Sequence, residues 1–143
     1  MAIIQDSFVE ILSKGMKENF PLLSYSKMLE LIQHFEIQKF SKNSEIIKSG
    51  QFYGKIVFVI SGLFRAYYMN SDNENTFWFR EEFCVFAAHR SILANKPSTI
   101  TYQALEDSIV AVIDYEFLKE LAESDKEIAN SIIIVLESLV LDL

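Results

Sequence analysis

Between residues 35 and 113 the apolar positions come in short runs broken by turn residues; on either side they recur at helical spacing. The most informative run is Lys55-Ile56-Val57-Phe58-Val59-Ile60, which is β-branched and aromatic, with Gly50 and Gly54 before it and Ser61-Gly62 after. It is too short for an ordinary helix, and its bounds predict a buried strand between two sharp turns. A second run of the same bias covers residues 63–69, so the two read as a strand–turn–strand unit in which Gly62 supplies a positive φ. Upstream, Phe35 and Ile37 alternate and Phe40 follows, which predicts a strand over 35–40, and Asn43-Ser44 turns the chain into another over 45–48. Downstream, Asn70-Ser71-Asp72-Asn73 is a clear turn cluster. It leads into a strand over 75–80 that carries Phe77, Trp78 and Phe79. From Glu81 to Pro97 the alternation fails, and residues 85–93 read as a short helix interrupting the sheet. Strands over 99–105 and 109–113, joined by Glu106-Asp107, then close the region. Seven or eight short strands with turns between them are the signature of a sandwich or jelly roll.

The flanks read differently. Phe8, Ile11 and Leu12 lie at helical spacing within residues 7–16, with Gly15 placed as the residue that ends the helix. Pro21 breaks the pattern, and Ser26 is positioned to cap a second helix from 27 to about 33, whose apolar face is Met28, Leu29, Leu31 and Ile32. After the strands, Asp114 can cap a helix over 115–122 and Ser124 another that runs to the end. In that last helix Ala129, Ile133, Leu136, Val140 and Leu143 form one apolar stripe, and Ile128, Ile132, Val135 and Leu139 form a second beside it. One stripe docks a helix on a core; two make a face that needs cover on two sides.

Composition narrows the class. The chain has 143 residues, enough for one domain with a single core, and its 50% hydrophobic content with twelve phenylalanines excludes disorder. No apolar run approaches the roughly 20 residues of a membrane span, and the N-terminus lacks a basic segment followed by an apolar one. Cys84 is the single cysteine, so neither an intrachain disulfide nor a Cys-ligated cluster can form. The expectation is a cytoplasmic protein with no cofactor and no membrane contact. The formal net charge is -7, and clustered Lys and Arg of the kind that grip a phosphate backbone are missing. DNA is expected to be reached only through a domain absent from this chain.

The glycine spacing from Gly50 to Gly62, followed by Arg65 and the paired Tyr67-Tyr68, resembles the opening of a cyclic-nucleotide-binding-like jelly roll. The likeness is to the sensor domain of Crp/Fnr-type transcription regulators, and the remaining elements fit that template in order. It implies a mainly β fold with flanking helices: N-terminal helices over 1–34, an antiparallel double-stranded β-helix (jelly roll) over 35–113, and C-terminal helices over 114–143. It further implies a ligand-sensing regulatory role without enzymatic activity, and a homodimer whose seam is the last helix. Ala129, Ile133, Leu136, Val140 and Leu143 would line that seam.

In the resembled family the segment matching Arg80 to Thr99 is a phosphate-binding cassette. A Gly-Glu pair opens it and holds the ribose, and an Arg followed by Ser or Thr closes it on the cyclic phosphate. Here Ala87-Ala88 stand in place of Gly-Glu and Pro97 in place of the Arg, while Ser98 keeps the hydroxyl. Each lost charge-assisted hydrogen bond forfeits roughly 1.5–3 kcal/mol, so cyclic AMP binding is not expected. An unidentified small-molecule effector remains, an anion being one candidate, with Arg80, His89, Arg90, Ser98 and Thr99 as the residues available to it. Arg65, by contrast, is placed to stack on Tyr67. Two other readings stand beside this one: a free-standing degenerate sensor acting as a dimeric binding or scaffold protein, and a cupin-like metal enzyme. The second needs a His and carboxylate cluster, and the chain has only His34 and His89, far apart and with no HxH pattern.

Overall fold

The computed structural model describes residues 6–141. Among the described residues five helices flank eight strands: α1 (Asp6–Asn19), α2 (Tyr25–Ile32), β1 (Glu36–Phe40), β2 (Glu45–Ile47), β3 (Lys55–Ser61), β4 (Phe64–Asn70), β5 (Asn73–Arg80), β6 (Val85–Ala87), α3 (His89–Ala94), β7 (Thr101–Ala104), β8 (Ser108–Asp114), α4 (Tyr115–Ala122) and α5 (Lys126–Leu141). The strands form two antiparallel four-stranded sheets, ordered β1-β8-β3-β6 and β2-β7-β4-β5. The fold is an antiparallel jelly roll with helices outside it.

Period-two alternation explains why β3 is buried along its length. Val57 and Val59 point between the two sheets, where they meet Phe64, Phe86, Tyr102, Val110 and Val112. Ile56, Phe58 and Ile60 point the other way, into a second core under the helices, with Leu12, Met16, Ile32, Leu118, Ile128 and Leu139. A strand covered on both faces has no polar side to show.

Several local expectations change. Residues on either side of Gly62 do not make a hairpin, because β3 and β4 belong to different sheets. Gly62, at φ 110°, turns the chain from one sheet to the other, against the Cα of Ser108, which lies 2.7 Å from where a Cβ would stand. The true hairpin is β4–β5, closed at Asn70 and Asn73 with Ser71 at φ 59°. Gly15 does not end α1, which continues to Asn19; a Cβ there would sit 2.7 Å from the Phe83 ring and collide with that of Phe58. The cap of α2 is Ser24, whose hydroxyl accepts from the Lys27 N–H, and not Ser26. Asp125, not Ser124, caps α5 through the Ile128 N–H, whereas Asp114 caps α4 as its position predicts. The expected helix over 85–93 divides into strand β6 and a shorter α3 that starts at His89.

Candidate functional site

The segment after β5 leaves the β2-β7-β4-β5 sheet and enters the β1-β8-β3-β6 sheet. Phe83 adopts φ 69°, unusual for a bulky residue, and is held by its N–H to the Val59 carbonyl at 2.8 Å and by Asn19 Nδ2 on its own carbonyl at 2.8 Å. β6 then pairs with β3, Ile56 facing Ala87. α3 follows and ends at Asn95 in the left-handed region. The loop after it is pinned to the β2–β3 connection, the Gly50 N–H to Ser98 carbonyl distance being 2.7 Å and the Ser98 N–H to Gln51 carbonyl 2.9 Å.

The candidate residues have separate surroundings. Ser98 is buried, and its hydroxyl donates to the Ile100 carbonyl at 2.7 Å while accepting from the Ile100 N–H at 3.1 Å. Thr99 is exposed, in a shallow depression with Tyr68, Met69, Phe77 and Ile100. Arg90 is exposed on α3. The Arg80 guanidinium lies over the Trp78 ring, 4.3 Å from its centroid. His89 is buried and faces α5, with Nε2 2.9 Å from the Leu139 carbonyl. Ala87 and Ala88, at the place of the family's Gly-Glu pair, are 0% and 1% exposed. Arg65 does stack on Tyr67, at 4.2 Å, and also binds Gln103, Thr76 and Glu74.

Between the sheets the space is filled by rings. Phe86 and Tyr102 stack at 4.3 Å and 7°, Phe64 meets Phe86 at 5.4 Å, and the Trp78 Nε1–H donates to the Tyr102 hydroxyl at 3.0 Å. In sequence Trp78 and Tyr102 look like any aromatic residue on a strand, and only their alternation in β5 and β7 signals that they face the interior. Tyr53 has no such signal. Its hydroxyl is buried without a hydrogen-bond partner among the described residues, and burial, helped by the Glu36 charge, pushes its pKa up to about 12. Among the described residues no three His, Cys, Asp or Glu side chains gather as a metal site would require.

The stripes of α5 part company. Ile128 and Leu139 are buried against the roll's helical core, with Ile132, Val135 and Leu136 packed partly against it. Ile133 and Val140 remain 52% and 53% exposed and line a groove with Leu136, Glu137 and Leu141. Ala129 is half-buried, and Leu143 lies outside the described residues. Among the described residues no helix is long and apolar enough to cross a membrane.

Residues 37–125 match the family model of the cyclic nucleotide-binding domain. Among solved structures the chain is similar to the sensor domain of the transcriptional regulator DNR from Pseudomonas aeruginosa, at 16% identity and TM-score 0.76 over 92% of this chain and 90% of that one. It is also similar to a cyclic nucleotide-binding domain from Methylobacillus flagellatus, at 13% identity and TM-score 0.80, covering 94% of this chain and 77% of that one. A third likeness is to the Catabolite Activator Protein of Thermus thermophilus, at 18% identity and TM-score 0.72 over 82% of this chain; the match spans 57% of that protein. No curated protein matches the sequence.

Proposed function

Because the chain belongs to the cyclic nucleotide-binding domain family, we propose that it is the ligand-sensing regulatory module of a Crp/Fnr-like transcription regulator, cytoplasmic and homodimeric through α5. The observation that carries this reading is the division of α5 into a stripe packed on the roll and a stripe open to solvent at Ile133 and Val140. A protein of net charge -7 keeps such an aliphatic face for a purpose, and a second copy related by a twofold axis matches it with an identical stripe. DNA would be reached through a domain outside this chain.

The effector of this module is not cyclic AMP. Two buried alanines offer no carboxylate to a ribose, Pro97 offers no guanidinium to a phosphate, and the Ser98 hydroxyl is already shared with Ile100. Of Arg80, His89, Arg90, Ser98 and Thr99 in the cassette segment, a small anion would meet Arg90 and Thr99 at the surface, because His89 and Ser98 are buried on their bonds to Leu139 and Ile100 and Arg80 lies over Trp78. A second reading draws support from the stacked Phe86 and Tyr102, which fill the interior where a ligand would lie: a degenerate sensor that acts only as a dimeric scaffold. Light scattering across a concentration series tests the dimer, with a monomer at high micromolar concentration counting against it. Calorimetric titration with cyclic AMP is expected to give no measurable heat of binding, and micromolar affinity would overturn that part.

A further inference from the structure

One buried side chain joins the roll interior to the end of α5. We propose that His89 is a coupling residue, which sets the last turn of α5 according to the position of the aromatic stack inside the roll. The proposal deepens the regulatory reading above and rests on it for its purpose, though its geometry stands alone. The Leu139 carbonyl can only accept, so the Nε2 of His89 carries the proton and donates at 2.9 Å. Leu139 lies in the last described turn of α5. The imidazole therefore ties that turn to the start of α3. With His89 6% exposed, the bond is shielded from water, and breaking it loses a buried hydrogen bond between the two elements.

The other side of the ring faces the roll. His89 lies 5.6 Å from Trp78, whose Nε1–H donates to Tyr102, which in turn stacks on Phe86. From Phe86 to Leu139 the contacts are continuous, and close-packed rings move together rather than independently. A change in the interior that displaces Tyr102 shifts Trp78, and with it the imidazole that holds α5. Since α3 begins at His89, the cassette moves with the same residue.

The test is amide hydrogen exchange over residues 130–141, with the fluorescence of Trp78, the only tryptophan, recorded alongside. His89→Phe keeps a ring against Trp78 and removes the donor; exchange in the last turn of α5 should quicken about tenfold. His89→Gln, which restores an N–H at similar reach, should recover most of the protection. Tyr102→Phe removes the acceptor of Trp78; it should quicken the same segment about threefold in the natural chain and leave it unchanged in the His89→Phe background. Unchanged exchange in His89→Phe, no recovery with Gln, or an equal Tyr102→Phe effect in both backgrounds overturns the coupling. If His89→Phe does not fold, His89→Asn, whose amide falls short of the carbonyl, takes its place. Light scattering on the same samples keeps the two readings apart. A monomer with the expected exchange pattern overturns the dimer alone, and a dimer without that pattern overturns the coupling alone.

Discussion

At Gly15 two effects of opposite sign compete. Alanine is favoured over glycine inside a helix by roughly 1 kcal/mol, so Gly15→Ala on an exposed face would stabilise α1. Here the added methyl meets Phe58, 2% exposed and fixed in the core, and Phe83, whose backbone is already held at φ 69°. Overpacking of that kind costs about 1–3 kcal/mol, enough to reverse the sign. Gly62→Ala carries two penalties, a left-handed φ and a collision with Ser108 backbone and side chain, neither of which a flexible tip can relieve. Urea denaturation should place both variants below wild type, Gly62→Ala the lower. A Gly15→Ala protein more stable than wild type would mean that the rings yield.

At the scale of elements, the N-termini of α2 and α5 are tied by four side chains. Lys27 Nζ lies 2.6 Å from Asp125, and the Ser24 hydroxyl donates to Glu127 at 3.0 Å; within α2, Glu30 also lies 3.2 Å from Lys27 Nζ. The hydrogen bond from Lys27 is the chief cause that holds the Asp125 carboxyl below its ordinary 3.8, and the bond to Asp125 is the chief cause that raises Lys27 above 10.5. A lowered carboxylate contributes stability that is present above its ordinary value and lost as pH falls through the folded one. A raised amine contributes stability present below 10.5 and lost as pH climbs through its folded value. The tie is therefore complete at neutral pH and weakens at both extremes. Thermal unfolding from pH 2 to 5 should show Asp125→Asn with a shallower acid loss than wild type, and parallel curves would remove this pair from the acid response. Which serine caps α2 was not legible, since Ser24 and Ser26 both precede an apolar run, and only the chain entry angle aims one hydroxyl at Lys27. β3 was legible because both of its faces are covered and its apolar run is unbroken. β6 was not, since Val85-Phe86-Ala87 is too short to show a period and runs straight into α3. Contact between His89 and Leu139 spans 50 residues and leaves no local mark in the sequence.

For the whole molecule the decisive contrast lies on one helix. Ile128 and Ile133 are both isoleucines of α5, yet one is 4% exposed under the roll and the other 52% exposed on the groove. Glutamate at Ile128 would bury an unpaired carboxylate in the core of each protomer, costing several kcal/mol and threatening the fold itself. Glutamate at Ile133 leaves the isolated protomer nearly untouched, because surface substitutions usually fall within about 0.5 kcal/mol. In a twofold dimer the same residue faces its own copy, so two carboxylates are desolvated together in a protein already at net charge -7. Ile133→Glu should thus keep the wild-type circular dichroism and lose the dimer in light scattering, whereas Ile128→Glu should lose thermal stability at every concentration. Val140→Glu, on the same stripe as Ile133, should follow Ile133→Glu. A dimer that survives both exposed substitutions would place the contact elsewhere on the surface, and the open stripe of α5 would then need a partner other than a second copy.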